Sequence, residues 1–213
     1  MKKYFIIACL FLLGCFIPQP SNNSYNKIDS KIEKIKKEVE ENSRLPTFLC
    51  KFRVITENGK IINSVENEYF KATILPAGQK EGSYLYKEEC NCYLKNPYSA
   101  FLLRVENKTL KDLELDWNKT LFIENGKTNG GFMFEGIVYK DRNNPKPPDI
   151  IFGNSIFEKV IFPNNLVFFL SDMRPRWGHT PFHLGENGVY LTIKVDGREI
   201  NQKLSVIFEA AKE

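Results

Sequence analysis

Residues 98–139 have the sequence YSAFLLRVENKTLKDLELDWNKTLFIENGKTNGGFMFEGIVY, and the pattern within this stretch decides the fold class. Apolar side chains alternate with polar ones over residues 113–117 and again over 121–123. A period of two is typical of a strand that buries one face, so Asp116 is expected to face water and a turn or bulge is expected near Lys119. Asn and Gly residues on either side favour turns, because they tolerate positive φ. The stretch therefore predicts a β-meander.

Strand signals continue on both sides of this stretch. The clearest hairpin combines alternating residues 189–195, the turn dipeptide Asp196-Gly197 and a second alternating run that ends at Phe208. Many short strands with little helix predict a mainly β domain over residues 46–213, with an immunoglobulin-like or related β-sandwich as the expected architecture. Further short apolar or alternating runs, separated by Gly, Pro or polar turns, lie at 48–55, 69–75, 83–86, 92–95, 150–152, 157–162 and 166–170.

The composition fits one folded domain whose partner is not nucleic acid. The chain has 213 residues with a hydrophobic content of 42%, which is enough for one sizeable core. Its 30 basic and 26 acidic residues leave a net charge of only +4. Nucleic-acid binding requires a clustered basic face, and a nearly balanced chain gives no sign of one.

The first residues have the layout of an export signal. Lys2 and Lys3 precede a short apolar run at residues 4–13, and the small residue Gly14 follows. A basic start, an apolar segment and a small residue at the cleavage point are typical of a secretory signal peptide. The apolar run is too short to cross a bilayer, which needs about 20 residues. Residues 1–14 are therefore predicted to be a signal peptide.

The end of this segment resembles a known processing site. The residues Leu12-Leu13-Gly14-Cys15 are similar to the lipobox of bacterial lipoprotein precursors. The resemblance implies that Cys15 becomes the lipidated N-terminus and anchors the protein in a membrane. Asp after the cysteine commonly marks inner-membrane retention in such lipoproteins; Phe16 stands there instead. The resemblance thus implies outer-membrane delivery, facing the periplasm or the cell surface. The alternatives are an uncleaved anchor, or cleavage elsewhere with Cys15 incidental.

Residues 15–45 are expected to connect the lipid to the domain. Residues 18–25 are polar and contain Pro, Ser and Asn, which is typical of a flexible stalk. Residues 26–42 carry Ile or Val at helical spacing among charged side chains, which predicts a short amphipathic helix. That helix could pack on its own domain or pair with a second helix. Pro46 ends the pattern, because the residue before proline disfavours the α conformation.

Three cysteines remain for the exported domain: Cys50, Cys90 and Cys92. Exported thiols tend to pair, so a disulfide from Cys50 to Cys90 or Cys92 is expected, with one thiol left over. A redox or metal role for the close pair is the weaker alternative, because Glu88 and Glu89 oppose formation of a thiolate.

Catalytic and metal-binding motifs are not found in the sequence. His179 and His183 are the only histidines in the sequence, and the Gly and Pro residues around them disfavour a helix that would place both on one face. The chain contains no nucleophile elbow, phosphate-binding loop or metalloprotease motif. No catalytic residue, metal site or cofactor is therefore predicted.

One segment, residues 171–188, is predicted to be a recognition loop. It has the sequence SDMRPRWGHTPFHLGENG and joins two strong strand signals. Connections of this length are commonly functional or disordered, and two prolines stiffen this one. Arginine and aromatic residues dominate protein-binding hot spots. The alternative is that Trp177 and Phe182 fold back to close one end of the domain. The candidate recognition residues are Arg174, Arg176, Trp177, His179, Phe182 and His183.

The sequence as a whole favours a membrane-anchored bacterial lipoprotein that acts as a binding or structural module of the cell envelope, with an envelope protein as its partner. The alternatives are an exported enzyme such as a hydrolase, with a site assembled from loops, and a soluble secreted factor. A titratable pair in a deep cleft would favour the enzyme. A shallow aromatic surface formed by loops would favour the binding module.

Overall fold

The computed structural model describes residues 46–212, except 54–55, 58–59, 62 and 172–175. Residues Pro46–Glu213 form one compact unit. The predicted signal peptide (1–14), the lipidation site Cys15, the stalk and helix up to residue 45, and Arg174 all lie outside the described residues.

The described residues are mainly β, as the alternating sequence pattern predicts. Three single-turn 3-10 helices lie at Glu88–Cys90, Tyr139–Asp141 and Asn164–Leu166. The strands are β1 (Thr47–Arg53), β2 (Thr56–Glu57), β3 (Lys60–Ile61), β4 (Ser64–Glu66), β5 (Phe70–Lys87), β6 (Cys92–Asn107), β7 (Leu113–Leu115), β8 (Leu121–Glu124), β9 (Lys127–Thr128), β10 (Phe132–Phe134), β11 (Asp149–Ile151), β12 (Ile156–Pro163), β13 (Val167–Leu170), β14 (Arg176–His179), β15 (Gly185–Val195) and β16 (Arg198–Lys212).

Most of these strands form one large mixed sheet. Its main path runs β10-β12-β6-β1-β16-β15-β7-β11. β4 and β5 extend the sheet from β6, while β8 and β9 extend it from β15. The pairing of β1 with β6 is parallel, whereas the other pairings in the sheet are antiparallel. β2–β3 and β13–β14 form two separate two-stranded sheets.

The predicted meander is wrong, although its turns are in place. β7 and β8 do not pair with each other or with β6; both pair with β15, while β10 pairs with β12. The reason is that β6 already has β5 on one edge and β1 and β12 on the other. The expected break lies at residues 117–119, which form a turn between β7 and β8. Asn125 and Gly126 have φ of 47° and 78° at the tight turn from β8 to β9.

Strands from the two ends of the sheet order meet across one core. Trp117, which follows β7, packs on Phe134 of β10 with ring centroids 4.7 Å apart. Phe122 of β8 contacts Phe132 of β10 edge-on, with centroids 6.2 Å apart. These contacts place β10 and β12 opposite β7 and β8, so that each side contributes apolar faces to the same interior.

The expectation that Asp116 faces water is wrong. Asp116 is only 8% exposed, and its carboxylate lies 3.0 Å from the Lys194 ammonium and accepts the Asn118 backbone N–H. Burial raises the pKa of this carboxyl, but the hydrogen bonds from Lys194 and Asn118 outweigh it and lower the pKa. The cause is local cover: the Lys194 ammonium, which also pairs with Glu114, lies against this carboxylate, and the following turn directs the Asn118 N–H at it.

The C-terminal hairpin is confirmed. Val189, Leu191 and Ile193 of β15 are fully buried. Asp196 and Gly197 form the connecting turn with φ of 49° and 75°. β15 and β16 stay in register from Val195–Arg198 to Gly185–Phe208, which makes this hairpin the longest regular pairing in the domain.

Candidate binding surface

A groove of about 1110 Å³ lies beside the β13–β14 hairpin. One wall is the connection after β10, at residues 135–139; the floor is β12 at residues 158–162; the other wall carries Phe169 and Trp177. We call this surface the aromatic groove. A cavity of this size lies near the upper end of the usual range of small-molecule pockets, about 300–1,000 Å³.

The β13–β14 hairpin contributes the residues of one wall in a defined order. The two strands pair antiparallel, with Phe169 opposite Trp177 and Phe168 opposite Gly178. A Cβ at Gly178 would lie 2.9 Å from the Phe168 ring, so glycine allows that ring to cover the backbone. At the base, Thr180 donates its backbone N–H (2.8 Å) and its hydroxyl (3.0 Å) to the Leu166 carbonyl. These bonds fix the hairpin where it leaves the sheet.

The rings of the groove contact one another in two clusters. Phe162 stacks on His179 with centroids 4.7 Å apart and meets Trp177 edge-on at 5.6 Å. Tyr139 and Phe169 stack at 5.6 Å. Trp177 is 40% exposed and Phe169 is 47% exposed, despite these contacts. Large aromatic rings that remain half-exposed in one concave patch are typical of interaction sites.

The charges around the groove are mixed in sign. Glu158 forms an exposed ion pair with Arg104 at 2.9 Å. The Lys159 ammonium pairs with the Asp149 carboxylate and lies 4.2 Å from the centroid of the Phe134 ring. The guanidinium of Arg142 lies over the Tyr139 ring at 4.1 Å. The described charges around the groove are thus of both signs and do not form a single-sign field that would select a polyanion.

The residues of the predicted recognition loop lie in different environments, some at the surface and some in the core. Arg176 and Trp177 are exposed on β14 and Trp177 lines the groove. His179 is half-buried beside them, and burial lowers the pKa of its imidazole. Phe182 instead is fully buried, stacked on Phe101 at 4.5 Å and on Phe208 at 5.1 Å. The alternative in which the loop folds back is thus right for Phe182 and wrong for Trp177.

His183 belongs to a different part of the surface. It is exposed, and its Nδ1 lies 2.5 Å from Oε1 of Glu124 in β8. His179 contacts the rings of the groove instead. Within the described residues, no group of three or more His, Cys, Asp or Glu side chains is placed to hold a metal ion.

The expected disulfide from Cys50 is wrong. The structure joins Cys90 to Cys92 and leaves the Cys50 thiol free and buried. In the parallel pairing of β1 with β6, Phe48 lies opposite Leu94, which places Cys50 four residues beyond the level of Cys92. Four residues of strand correspond to roughly 13 Å, whereas a disulfide needs Cα atoms within about 7 Å. Register alone therefore excludes the predicted bond.

Several groove residues were missed by sequence reasoning. Tyr139, Phe162 and Phe169 lie in segments whose apolar pattern predicts burial in a strand or gives no signal. The available signal was the doubled aromatic at 168–169 in β13, because consecutive side chains of a strand point to opposite faces and both cannot enter one core. Their convergence on Trp177 depends on tertiary structure.

Comparison of the chain with protein-family models, with curated proteins and with solved structures finds no match. None of the helices in the described part of the chain is long and apolar enough to span a bilayer.

Proposed function

We propose that this protein is a membrane-anchored bacterial lipoprotein whose β domain acts as a binding module of the cell envelope. The support for the anchor is the signal-like segment that ends in Leu12-Leu13-Gly14-Cys15. Lipid on Cys15 would hold the protein on a membrane, because each buried CH₂ contributes about 0.8 kcal/mol. Phe16 in place of Asp favours the outer membrane, with the domain in the periplasm or at the cell surface.

The finer architecture that we propose is a two-layered sandwich of immunoglobulin-like or related topology. The support is that strands distant in the sheet order face each other, through Trp117–Phe134 and Phe122–Phe132. A sheet of this many twisted strands tends to curl or split into two packed layers.

The aromatic groove carries the functional part of the proposal. Trp177 and Phe169 expose large apolar area on a short hairpin, with Arg176 next to them. Such residues combine apolar contact with directed hydrogen bonds, which is why they dominate protein interfaces. Phe169 and Trp177 lie opposite each other in the paired strands β13 and β14, and side chains held in this way lose less entropy on binding. We therefore assign the groove to an envelope protein partner.

The alternative, an exported hydrolase, needs a nucleophile or an acid–base pair that faces the substrate. The acidic side chains that line the groove are Glu135 and Glu158, and Glu158 is engaged by Arg104. Among the described residues that line the groove, no specific contact favours hydrolysis over binding.

The anchor is tested by phase partitioning. Wild-type protein should be cleaved, carry lipid and enter the detergent phase, whereas Cys15→Ala should carry no lipid and keep its signal peptide. Unchanged partitioning and processing of Cys15→Ala would refute the lipoprotein proposal.

The groove is tested by affinity capture from the native envelope with mass spectrometry. Trp177→Ala and Arg176→Ala should keep a near-wild-type Tm and lose a protein that wild type recovers. The matched control is Phe152→Ala, which removes an aromatic ring that is 67% exposed on another part of the surface. It should recover the same protein. If Trp177→Ala unfolds the domain, or recovers the partner as wild type does, the groove is not the binding site.

A further inference from the structure

A second, smaller concavity of about 380 Å³ lies at the end of the β5–β6 hairpin. Its walls come from elements that are distant in sequence: Phe48 of β1, Leu94 of β6 and Ala210 of β16. Leu184, which precedes β15, and the Cys90–Cys92 disulfide complete the apolar lining. We call this surface the disulfide pocket. It shares no lining residue with the aromatic groove.

The disulfide pocket has the properties of a formed ligand site. Its volume lies at the lower end of the range for small-molecule pockets, about 300–1,000 Å³. Cys92 and Leu94 are almost fully buried at its base, while Ala210 and Cys90 are exposed at its margin. The Cys90–Cys92 bond spans only Asn91, which has a positive φ of 45°, so the wall is built from a closed turn. Apolar walls that contact water favour an apolar occupant.

Among the side chains that the structure describes, one charged group lines this pocket, the ammonium of Lys87 at the end of β5. Glu88 follows it in sequence but is exposed and is not part of the lining. An ammonium beside an apolar wall attracts an anionic group more strongly than it would in open water, because the local dielectric is lower. A ligand with an alkyl chain and a negatively charged head group would contact the apolar lining with its chain and Lys87 with its head group.

We propose that the disulfide pocket binds a single-chain amphiphile with an anionic head group, of the fatty-acid class. The chain packs between Phe48, Leu94 and the disulfide, and the carboxylate pairs with Lys87. One chain is favoured over two because the pocket is small. This assignment concerns a site separate from the aromatic groove and holds whether or not the groove binds a protein.

The test uses the full chain and dodecanoate as the probe below its micelle concentration. Calorimetric titration should show one dodecanoate per chain. Dodecyltrimethylammonium, with the same alkyl chain and a cationic head, should bind at least tenfold more weakly. Ala210→Trp should fill the pocket and weaken dodecanoate binding at least tenfold. The matched control is Ala211→Trp, because adjacent side chains of β16 point to opposite faces.

The head group is tested by charge reversal. Lys87→Glu should weaken dodecanoate binding severalfold and strengthen binding of the cationic probe. Lys127→Glu, an exposed lysine in β9, should change neither. Circular dichroism and Tm confirm that each variant is folded. The proposal is overturned if dodecanoate gives no binding heat, if Ala210→Trp binds like Ala211→Trp, or if Lys87→Glu leaves the preference between the two probes unchanged.

Discussion

Cys50 illustrates how the position of a single residue in a strand controls its chemistry. It lies opposite Ala210 in the pairing of β1 with β16 and is 1% exposed. Burial raises the pKa of its thiol to about 11, because the thiolate would lose its hydration. A thiol in this state reacts slowly, since the thiolate is the nucleophile. Cys50 therefore behaves as a small apolar side chain of the core.

The raised pKa of Cys50 predicts a loss of stability at alkaline pH. In the unfolded chain the thiol ionises near pH ~8.5, whereas in the folded domain it stays protonated up to about pH 11. Between these values the unfolded state binds fewer protons, so the free energy of unfolding falls as pH rises. Urea unfolding at pH 8 and 10.5 should show a decrease of roughly 2 kcal/mol that Cys50→Ala lacks. An equal pH dependence in both proteins would contradict the assignment.

Mass analysis and alkylation test the same residue. Without reductant, the native domain should contain one disulfide, between Cys90 and Cys92, and should resist alkylation. In urea, one thiol should become reactive, and peptide mapping should locate it at Cys50. A disulfide between Cys50 and Cys90 or Cys92 would show that the register of β1 against β6 differs from the one described above.

Asp116 and Trp117 are adjacent in sequence, and the alternating pattern predicts an exposed Asp116 and a buried Trp117. Both side chains are in fact buried. Trp117 is buried and donates its indole N–H to Asp149 at 2.8 Å. Trp117→Ala should lower the free energy of unfolding by ~3–5 kcal/mol, as for other large buried aromatics. Asp116→Ala should cost ~1–3 kcal/mol, because it leaves polar groups without a partner. Exposed Glu106→Ala, the control, should stay within about 0.5 kcal/mol. Urea unfolding measures all three.

The same Asp116 contacts predict an acid dependence. Its folded pKa is lowered, so its contribution is present above the unfolded pKa of ~3.9 and is lost as pH falls through the folded value. The difference in stability between wild type and Asp116→Asn should therefore shrink below pH ~4. A difference that is constant with pH would exclude the charge as its origin.

At the scale of elements, the turn between β15 and β16 determines a long pairing. Gly197 has φ of 75°, a region that costs an L-residue with a side chain roughly 1–2 kcal/mol. Gly197→Ala should therefore lower the free energy of unfolding by about that amount, whereas the exposed neighbour Arg198→Ala should change it by less than about 0.5 kcal/mol. Thermal and urea unfolding measure both. Equal effects would mean that the turn is not the cause.

At the scale of the whole molecule, one polar cluster joins strands that are far apart in the sheet order. Asp149 of β11 accepts the Trp117 indole N–H and pairs with the Lys159 ammonium of β12. Lys159 also lies over the Phe134 ring. β11 ends the sheet order, and β12 is next to its opposite end. The cluster therefore helps to hold the two ends of the sheet against one core.

A double-mutant cycle tests this cluster. Asp149→Ala should cost roughly 1–3 kcal/mol, because it leaves the indole N–H and the ammonium without their acceptor. Combined with Lys159→Met, it should give a coupling energy of about 0.5–3 kcal/mol. The control cycle is Glu158 with Arg104, an exposed pair expected to give about 0–1 kcal/mol. A coupling at Asp149–Lys159 no larger than the control would show that the cluster does not join the sheet ends.

Local pattern was sufficient for the parts of the domain that depend on neighbouring residues. The alternation at 189–195 and the Asp196-Gly197 dipeptide predict their hairpin because side-chain direction and turn φ are local properties. The same reasoning found the turns near Lys119 and at Asn125-Gly126. It also identified the segment that contains Trp177, because its length and composition are visible along the chain.

Tertiary structure alone decided which strands pair and which side chains remain in water. β7 and β8 pair with β15 because the edges of β6 are already occupied, a fact that no local pattern contains. Phe182 and Trp177 share one segment, yet one stacks in the core and the other lines a groove. Both are large and apolar, so their composition does not separate them; Phe182 stacks on Phe101 and Phe208 in the core, whereas Trp177 contacts Phe162 and His179 at the surface. The register of β1 against β6 likewise keeps Cys50 away from Cys90 and Cys92, and that register is set by the packing of the whole sheet.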